Sequence, residues 1–165
     1  MSAVNSPFRI NVADVPVRRV EPPSQGARSP VEVRMVYGTD TGMMLARRNK
    51  GYHSRPHWHD SEQFNYVLDG EIWFFIGEEG FRCRHGDLIR IPRKIVHWTW
   101  VRSDVGCTMV ETHTPSLTGD PELAKGAMAL VGPGEVPDQN GVDNIFIDYP
   151  QAKDIEARAL AADPD

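Results

Sequence analysis

Between residues 31 and 113 the sequence repeats one pattern, in which short segments rich in Val, Ile, Phe and Trp alternate with turns that contain Gly, Asp or Asn. Such segments are typical of β-strands, and no helix-forming stretch separates them. The pair Asp69-Gly70 and the segment Gly77–Gly80 indicate hairpins, and Gly86 marks a third reversal. We therefore predict an all-β domain folded as a jelly-roll barrel. Its strands are predicted at 31–37, 42–49, 63–69, 71–77, 80–85, 87–91, 95–101 and 106–113.

Proline divides the chain into three parts. Five of the 13 prolines lie in residues 1–30, two lie between 31 and 114, and six lie from Pro115 onward. We predict an extended N-terminal arm at 1–30, the β-barrel at 31–115, and C-terminal loops at 116–165. Within this last part we expect one late strand at 144–147 and a short helix at 151–162, because the helix segment combines helix-forming residues with an apolar spacing.

The charge and the apolar runs exclude several classes of partner. The chain has 18 Lys and Arg against 23 Asp and Glu, a formal charge of −5, and a mildly acidic chain has no electrostatic reason to bind nucleic acid. No apolar run approaches the roughly 20 residues of a membrane span, and the N-terminus lacks the pattern of a signal peptide. Cys83 and Cys107 form no recognisable metal or redox motif. We therefore expect no nucleic acid, no membrane and a cytoplasmic location.

All six histidines lie between residues 53 and 113, which places the chemistry in the middle third of the chain. Residues two apart in an extended strand point to the same side, so His57 and His59 face one cavity. Gln63 has the same parity, and its amide oxygen would add a further ligand. The strand after the turn at Pro92 would deliver His97. Three imidazoles and one oxygen suit Fe(II), Mn(II), Ni(II), Zn(II) or Cu(II), so we predict a divalent metal site.

The neighbour of Gln63 offers an alternative oxygen ligand. A one-residue shift of the strand would turn Glu62 into the cavity, but it would also turn the apolar side chains of the strand to the wrong face. We therefore favour Gln63 and keep Glu62 as the alternative. An amide is neutral, so Gln63 would leave the ion its full charge. The ion would then be a stronger Lewis acid towards an anionic or carbonyl substrate, and it would be held less tightly.

The spacing of these residues resembles the two sequence motifs of the cupin superfamily. The first motif places a His-x-His sequence and an acidic residue between two glycines, and its positions are held here by Gly51, His57, His59, Gln63 and Gly70. The second motif matches at Gly86, Pro92 and His97, while Lys94 and Val101 replace a glycine and an asparagine. This resemblance covers about residues 51–101. It implies a double-stranded β-helix with the metal inside the mouth of the barrel.

A narrower resemblance covers residues 57–71, His-Trp-His-Asp-Ser-Glu-Gln-Phe-Asn-Tyr-Val-Leu-Asp-Gly-Glu. This run is similar to that of small single-domain cupins, among them the KdgF-type cupins of pectin degradation, which convert unsaturated uronates to linear ketonic forms. Arg47, Lys50 and Gly51 match that group upstream, whereas Leu117 stands where the group commonly has an arginine. A bacilysin-pathway cupin isomerase shares the glutamine, so the motif leaves the substrate open.

Three further side chains are candidates for substrate binding or catalysis. Glu111 follows the His97 strand and is the candidate general acid or base, because a partly buried carboxylate beside a cation can transfer protons. His113 shares strand parity with Glu111 and is expected to reach the pocket. The planar fork of Arg47 would pair with a substrate carboxylate, although Arg47 and Arg48 are adjacent and one of them must face outward.

Together these features favour a metal-dependent enzyme that acts on a small oxygenated, anionic molecule such as a sugar acid or keto acid. The metal would polarise a carbonyl or enediol and Glu111 would move the proton, as in an isomerase or lyase. Two alternatives stay open: an Fe(II)-dependent dioxygenase and a non-catalytic metal-binding or ligand-binding cupin. The exposed strand edges of a small jelly roll, and an arm able to cross over, predict a homodimer.

Overall fold

A computed structural model describes residues 6–21, 29–117, 126–138 and 141–164. The predicted all-β fold and the predicted C-terminal helix are both confirmed. The strands are β1 (Arg18–Val20), β2 (Val31–Tyr37), β3 (Gly42–Arg48), β4 (His57–Trp58), β5 (Glu62–Ile76), β6 (Glu79–Arg84), β7 (Leu88–Ile91), β8 (His97–Trp100), β9 (Cys107–Thr114), β10 (Met128–Ala129) and β11 (Ile145–Phe146). A 3-10 turn at Val12–Asp14 precedes β1, and helix α1 (Ala152–Ala162) follows β11. No helix in the described ranges is long and apolar enough to cross a membrane.

The predicted hairpin at Asp69-Gly70 is wrong, because the two strands expected there form the single long strand β5. Gly70 has a left-handed φ of 79°, and a Cβ at this position would lie 2.0 Å from the carbonyl oxygen of Gly106. The glycine therefore allows the strand to bend and its backbone to lie close to that of Gly106. A β-bulge between Val67 and Asp69 in the pairing with β9 adds to the distortion.

The bend lets β5 take part in both layers of the barrel. Residues 62–70 of β5 pair with β9, whereas residues 71–76 pair with β6. The resulting sheet has the order β1-β2-β3-β9-β5-β8-β4-β11, with β6 and β7 also paired to β5 and β10 paired to β2. This curled sheet is a jelly-roll barrel, and buried side chains such as Val67, Phe74, Ile91 and Met109 fill the space between its layers.

Helix α1 covers the outside of the barrel. Its buried residues Ile155 and Ala159 pack against Trp73, Phe75 and Trp98, which point outward from β5 and β8. The inner face of the same β8 strand carries His97. The helix thus supports the wall of the barrel from behind without entering the cavity.

The parts outside the predicted barrel also contribute strands. Within the predicted arm, β1 pairs antiparallel with β2 of the same chain. The predicted late strand is present as β11, which pairs with β4. Residues 1–5 and 22–28 of the predicted arm, and residues 118–125, 139–140 and 165 of the predicted C-terminal part, lie outside the described residues.

Candidate metal centre

The inward faces of the strands enclose a cavity of about 170 Å³. Its apolar lining includes Val33, Met44 and Phe74. Its polar lining combines the half-buried His57 with most of the ionisable and amide groups that the barrel buries: Arg48, His59, Gln63, Asn65, His97, Glu111 and His113. Buried polar groups are costly unless they are paired or bind a ligand, so this cluster marks the candidate functional site.

Three histidines meet at one point in the cavity. The pairing of β4 with β8 places His57 directly opposite His97, and His59 follows two residues after His57. The ring centroids of His57 and His97 are 4.3 Å apart, and those of His59 and His97 are 4.8 Å apart. One nitrogen from each ring lies within 4.8 Å of the other two. Three imidazoles at these separations are close enough to share one cation.

Each of these imidazoles is held by a backbone carbonyl on its far side. The Nδ1 atoms lie 2.8 to 3.0 Å from carbonyl oxygens, with the pairs His57 and Arg55, His59 and Ser61, and His97 and Ile95. A carbonyl oxygen only accepts, so the neutral rings of His57 and His97 carry their proton on Nδ1 and their lone pair on Nε2. The Nε2 atom of His97 is buried and has no hydrogen-bond partner in the described structure. This is the arrangement of histidine metal ligands, whose second nitrogen is normally anchored.

Gln63 brings an oxygen to the same point. Its Oε1 atom lies 2.9 Å from Nε2 of His59, and its Nε2 atom donates to Oδ1 of Asn65 over 2.9 Å. Oε1 of Gln63 and Nε2 of His59 are therefore close enough to each other to bind one cation together.

The alternative ligand Glu62 points away from the cavity. Its carboxylate binds Nε of Arg90 at 2.6 Å on the outer side of the sheet. The buried face of β5 carries Gln63, Asn65 and Val67 instead. The geometry therefore places Gln63, and not Glu62, beside the histidines.

Burial keeps these imidazoles neutral. It lowers the pKa of His57 to about 4 and the pKa of His113 to about 3. Burial also lowers the pKa of His59, and it lowers the pKa of His97 well below the ordinary value, with the neighbouring imidazoles adding to the effect. Neutral imidazoles offer free lone pairs, so at neutral pH protons do not compete with a metal for these nitrogens. The set of donors fits a divalent transition metal.

The predicted role of Arg47 is wrong, because β3 turns Arg47 out of the cavity. Its Nη2 atom donates to the carbonyl oxygen of Val105 at 2.7 Å, and its Nη1 atom donates to Thr108 at 3.2 Å. The inward side chains of β3 are those of Met44, Ala46 and Arg48. Arg48 is therefore the arginine that lines the cavity.

Arg48 forms a buried ion pair with Glu111 through its Nη2 atom. Its guanidinium also lies 5.0 Å from the ring centroid of Tyr52. Burial alone would lower the pKa of Arg48, but the charge of Glu111 and the contact with Tyr52 raise it above the ordinary value, so the guanidinium stays charged. The predicted candidates Glu111 and His113 both point into the cavity from β9, and the His113 ring lies 5.4 Å from that of His59.

Sequence reasoning did not single out Arg48, Asn65, Asn144 and Phe146 as cavity residues. The two on β3 and β5 follow strand alternation once the register is known. Asn144 and Phe146 come from the segment around β11, where the Phe146 ring lies 5.5 Å from that of His57. No local sequence signal reveals that this late segment returns to the barrel mouth.

The sequence profile described as "Cupin domain" matches residues 44–113. The barrel of this chain belongs to the cupin superfamily. The matched segment runs from β3 to β9 and contains the three histidines, Gln63 and Glu111. The segment around β11 and helix α1 lie beyond it. No curated protein matches the chain.

Solved structures show the same fold at low sequence identity. KdgF from Halomonas sp. aligns with a TM-score of 0.55 and 20% identity, covering 66% of this chain and 94% of that one. A sugar phosphate isomerase from Silicibacter pomeroyi aligns with a TM-score of 0.56 and 18% identity, covering 64% and 74%. A putative sugar phosphate isomerase from Acidithiobacillus ferrooxidans aligns with a TM-score of 0.43 and 19% identity, and the match spans 46% of this chain and half (50%) of that relative's length.

Proposed function

We propose that this cupin is a metal-dependent enzyme that acts on a small oxygenated, anionic substrate by proton transfer, as isomerases and lyases do. One observation carries the proposal. The cavity combines a set of neutral cation ligands with Glu111, a buried carboxylate that is paired with Arg48 and is not part of that set. A simple metal-binding protein has no need of the second feature.

His57, His59, Gln63 and His97 would hold the metal. When bound there, the ion would polarise a carbonyl or enediol oxygen of the substrate and stabilise the negative charge that develops during the reaction. Because Gln63 is neutral, the ligand set does not reduce the charge of the ion. The apolar part of the lining limits the water around the reacting atoms, which strengthens electrostatic interactions there.

Glu111 is the proposed general acid and base. Arg48 binds its Oε1 atom, so Oε2 is the oxygen available for a proton. The carboxylate would take a proton from a carbon next to the polarised oxygen and return it at another position. The ion pair holds the carboxylate in one orientation during this transfer. His113 lies on the same face of β9 and is proposed to contact the substrate.

The test combines metal analysis with turnover. Protein purified without chelators is analysed for bound metal, and a panel of keto acids, uronates and hydroxy acids is incubated with it in deuterated water, with and without oxygen. Proton transfer predicts that NMR detects deuterium in substrate or product at an equal rate in both atmospheres. Turnover that requires oxygen would favour the Fe(II) dioxygenase instead.

Matched variants separate the site from the rest of the fold. His57→Ala and His97→Ala are expected to lose bound metal and turnover. His85→Ala changes an exposed histidine whose Nδ1 atom contacts Leu68, and it is expected to keep both. Retention of metal by both cavity variants would refute the proposed centre.

We further propose that the chain forms a homodimer. Apolar side chains remain exposed on the outer face of β5 and β7, where Tyr66 pairs with Leu88 and Leu88 is 68% exposed. Exposed apolar patches of this kind commonly lie in interfaces. Light scattering is expected to give twice the mass of the chain for the wild type and a monomer for Leu88→Lys. A monomeric wild type would refute the proposal.

A further inference from the structure

Arg48 is a buried cation with most of its hydrogen-bonding capacity unused. Its residue surface is only 7% exposed, and its Nε and Nη1 atoms are buried without a hydrogen-bond partner in the described structure. Nη2 pairs with Glu111, and the side chain of Tyr52 also interacts with the guanidinium. A guanidinium has five N–H donors, so about three of them have no acceptor. Unpaired buried donors are costly, which indicates that a ligand oxygen completes this site.

The guanidinium is fixed in place on its other sides. Glu111 holds one nitrogen, and the ring of Tyr52 lies 5.0 Å from Cζ. Arg48 lines the same cavity as the three histidines. The guanidinium is therefore held in a fixed position in the wall of the cavity that a substrate would enter.

A second unpartnered group lies in the segment just before β11. The Oδ1 atom of Asn144 is buried without a partner in the described structure, and Asn144 also lines the cavity. An amide oxygen accepts hydrogen bonds, whereas the unused nitrogens of Arg48 donate them. The cavity therefore offers donors from β3 and an acceptor from the late segment.

From this pair of groups we propose that Arg48 binds the carboxylate of a small hydroxycarboxylate substrate and that Asn144 accepts a hydrogen bond from its hydroxyl group. This inference rests on the proposed function and narrows its substrate class. Glu111 lies against the guanidinium of Arg48, and its charge would repel a phosphate dianion more strongly than a singly charged carboxylate. A planar carboxylate also matches the fork of the guanidinium, so it is the favoured anion. The cavity volume of about 170 Å³ limits the ligand to a small molecule.

Titrations with L-lactate, the neutral analogue lactamide and inorganic phosphate test the inference. They are followed by nitrogen-proton NMR, on metal-free and on zinc-loaded protein. The Nε–H resonance of Arg48 is expected to shift with lactate, and lactamide and phosphate are expected to bind at least about tenfold more weakly. This resonance reports contact at the side chain itself, which a purely structural arginine would not show.

Variants in the ion pair give opposite expectations. Glu111→Gln removes the competing carboxylate and leaves Arg48 charged, so lactate is expected to bind about tenfold more tightly. The double variant Arg48→Met with Glu111→Gln removes both charges without leaving either of them unpaired, and lactate is expected to bind about tenfold more weakly than to the wild type. Asn144→Leu is expected to weaken lactate binding and to leave the binding of acetate, which has no hydroxyl group, unchanged.

Three results would overturn the inference: equal binding of lactate and lactamide, tighter binding of phosphate than of lactate, or no binding of lactate to either form of the protein. Zinc content is measured on the same samples. A protein that binds no zinc but shifts the Arg48 resonance with lactate would refute the proposed metal chemistry and support the anion site. A protein that binds zinc and shows none of the lactate effects would do the reverse.

Discussion

At the scale of single residues, the orientation of one amide determines which atom of Gln63 faces the histidines. Asn65 accepts from Nε2 of Gln63 at 2.9 Å, so Oε1 is the atom that points to His59. The Nδ2 atom of Asn65 is left buried without a partner in the described structure. Asn65 therefore positions the proposed ligand, and its own amide group can turn over to donate instead of accept.

Gln63→Glu tests the value of a neutral ligand. The new carboxylate would receive a hydrogen bond from Nδ2 of Asn65, and its charge would strengthen binding of a divalent ion by about tenfold or more. The same charge would reduce the Lewis acidity of the ion, so turnover is expected to fall. Competition with a chelating dye measures the affinity. Binding as weak as that of the wild type would show that the oxygen of residue 63 does not reach the metal.

Acid destabilisation follows from the buried imidazoles. The folded-state pKa of His113 is about 3 and that of His57 about 4, against an ordinary value of 6.5. Below pH 6.5 the unfolded chain takes up protons that the folded protein refuses, so stability falls as the pH decreases towards 4. Each such histidine contributes a slope of about 1.4 kcal/mol per pH unit. Above pH 6.5 these histidines are neutral in both the folded and the unfolded protein, so they add no pH dependence to the stability.

Urea unfolding of metal-free protein at pH 7, 6 and 5 measures this slope. His113→Leu is expected to be less sensitive to acid than the wild type, because one of the buried imidazoles is gone. His85→Ala provides the control variant, since His85 is exposed and does not line the cavity. Equal slopes for the wild type and His113→Leu would contradict the expected protonation.

At the scale of secondary-structure elements, β5 shows what a sequence pattern can predict and what it cannot. Alternation located its residues, but an Asp-Gly pair can mark either a hairpin or a bend inside one strand. The choice depends on the close approach of Gly106 to Gly70, which is a contact between residues distant in sequence. The local pattern does not contain that information.

Gly70→Ala is expected to destabilise the protein by about 3 kcal/mol or more, because it adds a left-handed strain and a clash with backbone. Gly77→Ala is the matched control. Gly77 also has a positive φ, of 59°, but a Cβ there meets nothing within 4 Å. Its cost is expected to be about 1 kcal/mol. Equal losses for the two variants in urea unfolding would show that the approach of Gly106 has no energetic consequence.

Contacts between residues that are distant in sequence also decide which candidate site residues can be predicted from the sequence. The prediction that His57 and His59 share one face does not depend on exact strand boundaries, since the two residues are two positions apart. The pattern of β3 cannot decide between Arg47 and Arg48, because both faces of this strand are apolar, with Met43 and Leu45 on one and Met44 on the other. Only the pairing of β3 with β9 decides which arginine faces inward.

At the scale of the whole molecule, helix α1 and the candidate metal centre lie on opposite faces of strand β8. Trp98 of β8 points outward to Ile155 and donates to Glu156 at 2.8 Å, while the adjacent His97 points inward. His53 also contacts Glu156 at 2.8 Å. The C-terminal helix therefore stabilises the wall that carries one of the proposed metal ligands, although it lies outside the matched cupin segment.

Ile155→Ala tests whether helix α1 only stabilises the barrel or also sets the position of His97. The loss of a fully buried isoleucine is expected to cost about 2–5 kcal/mol of stability. Because the folded cavity is unchanged, zinc at 100 times its dissociation constant should still add about 2.7 kcal/mol to both the wild type and Ile155→Ala. His57→Ala should gain none of this increment, since it lacks a proposed ligand. Urea unfolding with and without zinc measures all three proteins. If Ile155→Ala also lost the increment, the helix would have to set the position of His97 as well as the stability of the barrel.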